Sequence, residues 1–140
     1  MSGLSLNEIF YSIQGETSLV GRPAVFIRLA GCNMRCAWCD TSYAWEEGEH
    51  TDIDNICHSV MNYPTGIAVI TGGEPLIQKD TVSLAERLSE SGWKVLVETN
   101  GSMDISMLPA TAVIIMDMKP PSSGETENIF WKKEGLSLYN

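Results

Sequence analysis

An α/β fold built on parallel strands is what this 140-residue sequence predicts, and three observations carry that expectation. Short apolar, β-branched runs recur along the chain, as in strands covered on both faces. Between them lie stretches whose apolar residues return at helical spacing. The runs end in glycine-rich or polar segments, which is where ligand sites gather in parallel sheets. Strands separated by helix-length segments need crossover connections, and those make neighbouring strands parallel.

Residues 24–30 form the first predicted strand and deliver a cysteine-rich loop. Thr51 or Asp52 then caps a helix in which Ile53, Ile56, Cys57, Val60 and Met61 line one face, and Tyr63-Pro64-Thr65-Gly66 ends it. Residues 67–71 are a buried strand. A second helix is expected over 79–91, with Val82, Ala85 and Leu88 inward and Gly92 as its stop. Strands follow at 93–99 and 112–117. Gly31-Cys32, Gly72-Gly73-Glu74-Pro75, Glu98-Thr99-Asn100-Gly101 and Asp117-Met118-Lys119 each follow a strand, so all are expected on one edge of the sheet.

With 44% hydrophobic residues, the chain suffices for one domain over residues 1–140. Nine basic against eighteen acidic residues give a net charge of -9, which disfavours nucleic-acid binding. A small anionic substrate held by local arginines remains compatible with that charge. Residues 1–10 do not read as a signal peptide, and no apolar stretch approaches the ~18 residues of a membrane span. Cytoplasm is therefore the expected compartment, where clustered thiols favour metal over disulfides.

Cys32, Cys36 and Cys39 are spaced C-x3-C-x2-C, which lets one loop wrap three thiolates around an inorganic cluster. A four-iron cluster held by three protein sulfurs keeps one iron open for chemistry. Structural zinc is the competing reading, with His50 or Cys57 as a fourth ligand. Cys57 lies on the inner face of its predicted helix and reads as a small core hydrophobe.

The cysteine loop with Trp38 before its last ligand, followed by Gly72-Gly73-Glu74-Pro75, resembles the radical S-adenosylmethionine superfamily. More narrowly, Asn7-Glu8-Ile9-Phe10, Ser12-Ile13-Gln14-Gly15-Glu16, Gly21-Arg22-Pro23-Ala24, residues 26–32, Trp38-Cys39-Asp40-Thr41, Glu98-Thr99-Asn100-Gly101 and residues 119–124 resemble the 7-carboxy-7-deazaguanine synthase family. The resemblance implies an incomplete TIM-type barrel. It also implies a lyase that converts 6-carboxy-5,6,7,8-tetrahydropterin to 7-carboxy-7-deazaguanine with release of ammonia, in queuosine and deazapurine biosynthesis.

Residue by residue, it implies that Cys32, Cys36 and Cys39 hold a 4Fe-4S cluster whose open iron binds S-adenosylmethionine. Gly72, Gly73 and Glu74 meet the methionine end of that cofactor, Trp38 and Asp40 its adenine and ribose, with Asp117, Met118 and Lys119 as a later contact. Thr41 ligates Mg2+. Ile13, Gln14, Gly15 and Thr71 line the pterin pocket, and Arg28 pairs with the substrate carboxylate through its planar guanidinium. Glu16 and Glu98 are further candidate polar contacts. A flavodoxin-like one-electron donor and a homodimer are the implied partners, with neither nucleic acid nor membrane.

The chain is shorter than the family pattern and is expected to lack its last strand-helix elements, leaving an uncovered strand edge. Cluster and cofactor binding should then persist better than turnover. Two other functions are weighed: an activase of a glycyl-radical enzyme, which would need neither residues 12–16 nor 119–124, and a non-catalytic iron-sulfur or zinc-binding fragment.

Overall fold

The computed structural model describes residues 3–15, 17–31 and 48–116. Six strands form one mixed sheet in the order β3-β1-β2-β4-β5-β6. These are β1 (Leu4–Ile13), β2 (Pro23–Leu29), β3 (Glu49–Thr51), β4 (Ile67–Gly72), β5 (Lys94–Thr99) and β6 (Val113–Met116). Pairings β2–β4, β4–β5 and β5–β6 are parallel, as the alternation of elements predicts, whereas β1 runs antiparallel to both β2 and β3. The sequence reading assigns no element before residue 24, so the antiparallel start of the sheet is new.

Helices α1 (Ile53–Val60) and α2 (Thr81–Glu90) supply the β3-to-β4 and β4-to-β5 crossovers. Asp52 caps α1, its Oδ1 accepting from the Asn55 N–H at 2.9 Å. Ile53, Ile56 and Val60 are fully buried and Cys57 is packed beside them, but Met61 follows the helix and stays exposed. In α2 the buried residues are Thr81, Leu84, Ala85 and Leu88, so the inward stripe passes through Leu84 while Val82 lies at its margin. Gly92 ends the helix with φ +92. The segment between β5 and β6 contains no helix. Met103, Ile105 and Leu108 cover the sheet there instead.

Both helices pack on one face of the sheet, over Leu4, Val25, Ile27, Leu29, Ala68, Ile70, Val95 and Val97. Fully burying side chains of this size is worth about 1.5–3 kcal/mol each, so this face holds the elements together. On the opposite face, Phe10, Ala24, Phe26, Ile67, Val69, Leu96, Val113 and Ile115 form a second apolar cluster. A bulge between Leu6 and Glu8 shifts the phase of β1. Leu4 and Leu6 therefore join the helix side, as does Ile9, while Glu8 and Phe10 pair across from Arg28 and Phe26 on the opposite face.

Candidate active site

The site assembles where β2, β4 and β5 end. Leu29 runs through Ala30 into Gly31, and the stretch carrying Cys32, Cys36 and Cys39 starts there. Its root is tied down. The Gln78 side-chain amide accepts from the Ser5 N–H (2.8 Å) and donates to the carbonyls of Ser5 (3.0 Å) and Ala30 (2.9 Å), completing pairing that a strand residue would otherwise make. The Glu74 N–H donates to the Gly31 carbonyl at 2.8 Å. Gly31 itself has φ +92, a left-handed conformation that favours glycine. At the end of β4, a Cβ on Gly72 would lie 2.3 Å from the Leu29 carbonyl oxygen, so only glycine lets the strand close on β2 here.

Glu74 is fully buried, and its carboxylate is engaged within the protein. It accepts from the Leu76 N–H (3.0 Å), the Asn100 N–H (2.7 Å) and the Thr99 hydroxyl (2.8 and 3.0 Å to its two oxygens). The acid thereby starts the short 3-10 turn Pro75–Ile77 and fastens the end of β4 to the end of β5. What Gly72-Gly73-Glu74 presents outward is main chain.

On the face opposite the helices, one polar row crosses four strands. Glu8 pairs with Arg28 and Arg28 with Thr71 in strand register, and the Thr71 hydroxyl donates to Glu98 Oε1 at 2.9 Å. Arg28 Nε donates to Glu8 Oε1 at 3.0 Å, and its guanidinium lies 5.5 Å above the Phe10 ring. Phe10 stacks on Phe26 with centroids 5.1 Å apart. The row thus sits directly beyond an apolar floor of Phe10, Phe26, Val69 and Leu96. A flat, partly aromatic ligand with charged or hydrogen-bonding edges suits that combination.

Gln14 lies at the other end of the β1–β2 pair, past the Ile13–Pro23 pairing. Its N–H donates to the Arg22 carbonyl and its carbonyl accepts from Gly21, continuing the β1–β2 ladder. The side chain is 1% exposed, yet its Nε2 has no partner. Such an orphaned donor is costly unless a ligand satisfies it. Gly15 is exposed, and Ile13 points to the other face with its side chain 64% exposed.

Of the residues singled out in the sequence, Arg28, Thr71, Gly72, Gly73 and Glu98 are brought to this edge, whereas Gln14 and Gly15 lie at the other end of the β1–β2 pair, beyond the Ile13–Pro23 pairing. Cys32, Cys36, Trp38, Cys39, Asp40, Thr41, Asp117, Met118 and Lys119 lie outside the described residues, as does Glu16. Sequence reasoning gave no role to Glu8 or Gln78. Glu8 was legible in principle, because the apolar step changes from Leu4–Leu6 to Leu6–Ile9, one residue longer than alternation allows.

The zinc alternative gains nothing from this arrangement. Cys57 packs against the core, and burial pushes its thiol pKa up, against the opposing pull of Arg87, so the thiolate a metal needs is disfavoured. Among the described residues no group of three or more His, Cys, Asp or Glu is placed to hold a metal ion. Among them, too, no helix is long and apolar enough to cross a membrane.

Residues 26–114 match the radical SAM superfamily profile. The 7-carboxy-7-deazaguanine synthase of Koribacter versatilis (strain Ellin345) is 45% identical over 124 residues, covering 87% of this chain and 55% of that protein. The synthases of Chlorobaculum tepidum and Methanospirillum hungatei are each 44% identical, over 89% and 91% of this chain and 57% and 55% of theirs. The chain therefore spans about 55% of the length of the curated relatives it matches. Among solved structures, the crystal structure of QueE from Escherichia coli superposes with a TM-score of 0.77 at 28% identity, covering 84% of this chain and 60% of that one. These relatives give no support to an activase or a zinc module.

Proposed function

The chain belongs to the radical SAM superfamily, and from that premise we propose that it binds 6-carboxy-5,6,7,8-tetrahydropterin and forms 7-carboxy-7-deazaguanine with loss of ammonia. The observation that carries this reading is the row Glu8–Arg28–Thr71–Glu98 beside an aromatic floor, at the strand ends where the cysteine segment begins.

Superfamily membership implies a 4Fe-4S cluster and S-adenosylmethionine. The donor set fits: Cys32, Cys36 and Cys39 are three thiolates on one short segment, which leaves one iron for the cofactor. When bound, cluster and cofactor supply the one-electron chemistry that removes a substrate hydrogen atom. The protein's own part is binding and orientation. Arg28 holds the substrate carboxylate, a planar guanidinium matching both oxygens. Ile13, Gln14 and Gly15, at the far end of the β1–β2 pair, are assigned to the pterin on resemblance, and a ligand acceptor reaching Gln14 Nε2 would satisfy its unpaired N–H. Thr71 and Glu98 hold a polar edge of the pterin. The main chain of Gly72, Gly73 and Glu74 receives the methionine end of the cofactor, and Trp38 and Asp40 its nucleoside. Asp117, Met118 and Lys119 complete the cofactor wall, and Thr41 ligates Mg2+. A flavodoxin-like one-electron donor, a homodimer and a cytoplasmic setting belong to the same reading.

The test is anaerobic turnover with reductant, S-adenosylmethionine, Mg2+ and the carboxytetrahydropterin. Chromatographic appearance of 7-carboxy-7-deazaguanine is the expected result. Cofactor cleavage without that product would reject the assigned substrate.

A further inference from the structure

We propose that Glu8 is the positioning residue for Arg28, fixing the guanidinium in the orientation that receives a ligand carboxylate. The inference rests on the reading of Arg28 given above. Regular alternation from Leu4 and Leu6 would send residue 8 to the helix side. The bulge after Leu6 reverses it and sets Glu8 opposite Arg28 instead. A bulge interrupts ladder pairing, and its usual use is to re-aim a side chain. What it aims here is a carboxylate at Nε of a largely buried arginine, whose side chain is 14% exposed against 41% for Glu8.

A carboxylate can grip a guanidinium by the Nε side or by the end formed of the two terminal nitrogens. Glu8 takes the Nε side at 3.0 Å. The Phe10 ring, 5.5 Å from the guanidinium carbon, limits its tilt. Phe10 is itself held by stacking on Phe26. Arginine is a flexible side chain whose ordering entropy a ligand would otherwise have to overcome. With both restraints in place, that ordering is done before the ligand arrives. Glu8 touches no reacting atom and acts through Arg28.

The test measures the carboxylate preference: the ratio of dissociation constants for tetrahydropterin without and with the 6-carboxylate. It is read by anaerobic calorimetry on the cluster-reconstituted, cofactor-bound chain. Charge-assisted bidentate binding predicts a ratio of about 30-fold for the unaltered protein. Glu8→Ala should reduce it to below about 5-fold while S-adenosylmethionine affinity and binding of the uncarboxylated pterin stay unchanged. Glu8→Gln keeps an acceptor for Nε and should remain within about threefold of the original ratio. Once Arg28→Ala has abolished the preference, adding Glu8→Ala should change nothing further. Should Glu8→Ala fail to fold, Glu8→Asp reads the same ratio, since its carboxylate falls one methylene short of Nε.

An undiminished preference in Glu8→Ala, alongside a lost one in Arg28→Ala, overturns the role of Glu8 and leaves that of Arg28 standing. Equal weakening of both pterins and the cofactor overturns it in favour of a purely structural part. No carboxylate preference in the unaltered chain removes the reading of Arg28 and this inference together.

Discussion

The two faces of the sheet are made from the same strands, one residue apart, yet they solve opposite problems. On the helix side, Val25, Ile27, Ile70, Val95 and Val97 interlock with α1 and α2 in a wholly apolar layer. The carboxylate at its margin, Glu74, has its hydrogen bonds directed into the protein. On the other face the apolar layer ends at Phe26, Val69 and Leu96, and Glu8, Arg28, Thr71 and Glu98 take over. The lesson concerns carboxylates as much as faces. Glu74 is a strut because backbone donors surround it, whereas Glu8 is 41% exposed and engages a side chain that suits an incoming anion.

The sharpest way to break this contrast is to remove each acid. Glu74→Ala strands the buried Leu76 and Asn100 N–H groups and the Thr99 hydroxyl, and should lower stability by about 4 kcal/mol in denaturant unfolding. A loss below about 1 kcal/mol would make it an ordinary surface-like acid. Next comes Ile70→Ala on the helix side, fully buried, for which a cavity cost of about 3 kcal/mol is expected. Its neighbour Thr71, on the other face, should tolerate Thr71→Ser with less than about 0.5 kcal/mol, because the hydroxyl to Glu98 is kept. Arg28→Ala should cost only about 1 kcal/mol of stability, since its partner Glu8 is well hydrated, while raising the KM for the carboxylated pterin far more than it weakens cofactor binding. Equal loss of both affinities would merge the two faces into one structural role. The smallest effect concerns Cys57. With its thiol pKa raised by burial, the thiolate is scarce at neutral pH, so iodoacetamide should label it more slowly in the folded protein than after unfolding. Equal rates would place it outside the core.

Much of this was legible in the sequence where local chemistry is unambiguous. The run at residues 67–70 is β-branched or small throughout and became a strand buried on both faces. Asp52 and Gly92 bracketed their helices as capping chemistry predicts. Glycines 72 and 73 read as room for the cofactor, and at Gly72 the structure shows a different need for glycine, the close approach of the Leu29 carbonyl. The first strand escaped because it is half-exposed and its alternation is broken by the bulge at Asn7. Tertiary partners hid the rest. Nothing local says that the acid of Gly-Gly-Glu-Pro turns inward toward Thr99 and Asn100, or that the Gln78 amide reaches Ser5. Leu84 displaced Val82 from the inner stripe because the helix axis is set by where α2 meets the sheet, which periodicity alone leaves undetermined.

The Gln78 amide has one further consequence. Gly31 precedes the cysteine stretch and Gly48 follows it, and both ends are moored to the same frame: Gln78 and Glu74 hold the first, and pairing of β3 with Leu4–Leu6 holds the second. The two posts are joined through β1, since Gln78 bonds Ser5 and Ser5 pairs with His50, so the entry to the cysteine stretch and the exit from it keep a fixed spacing.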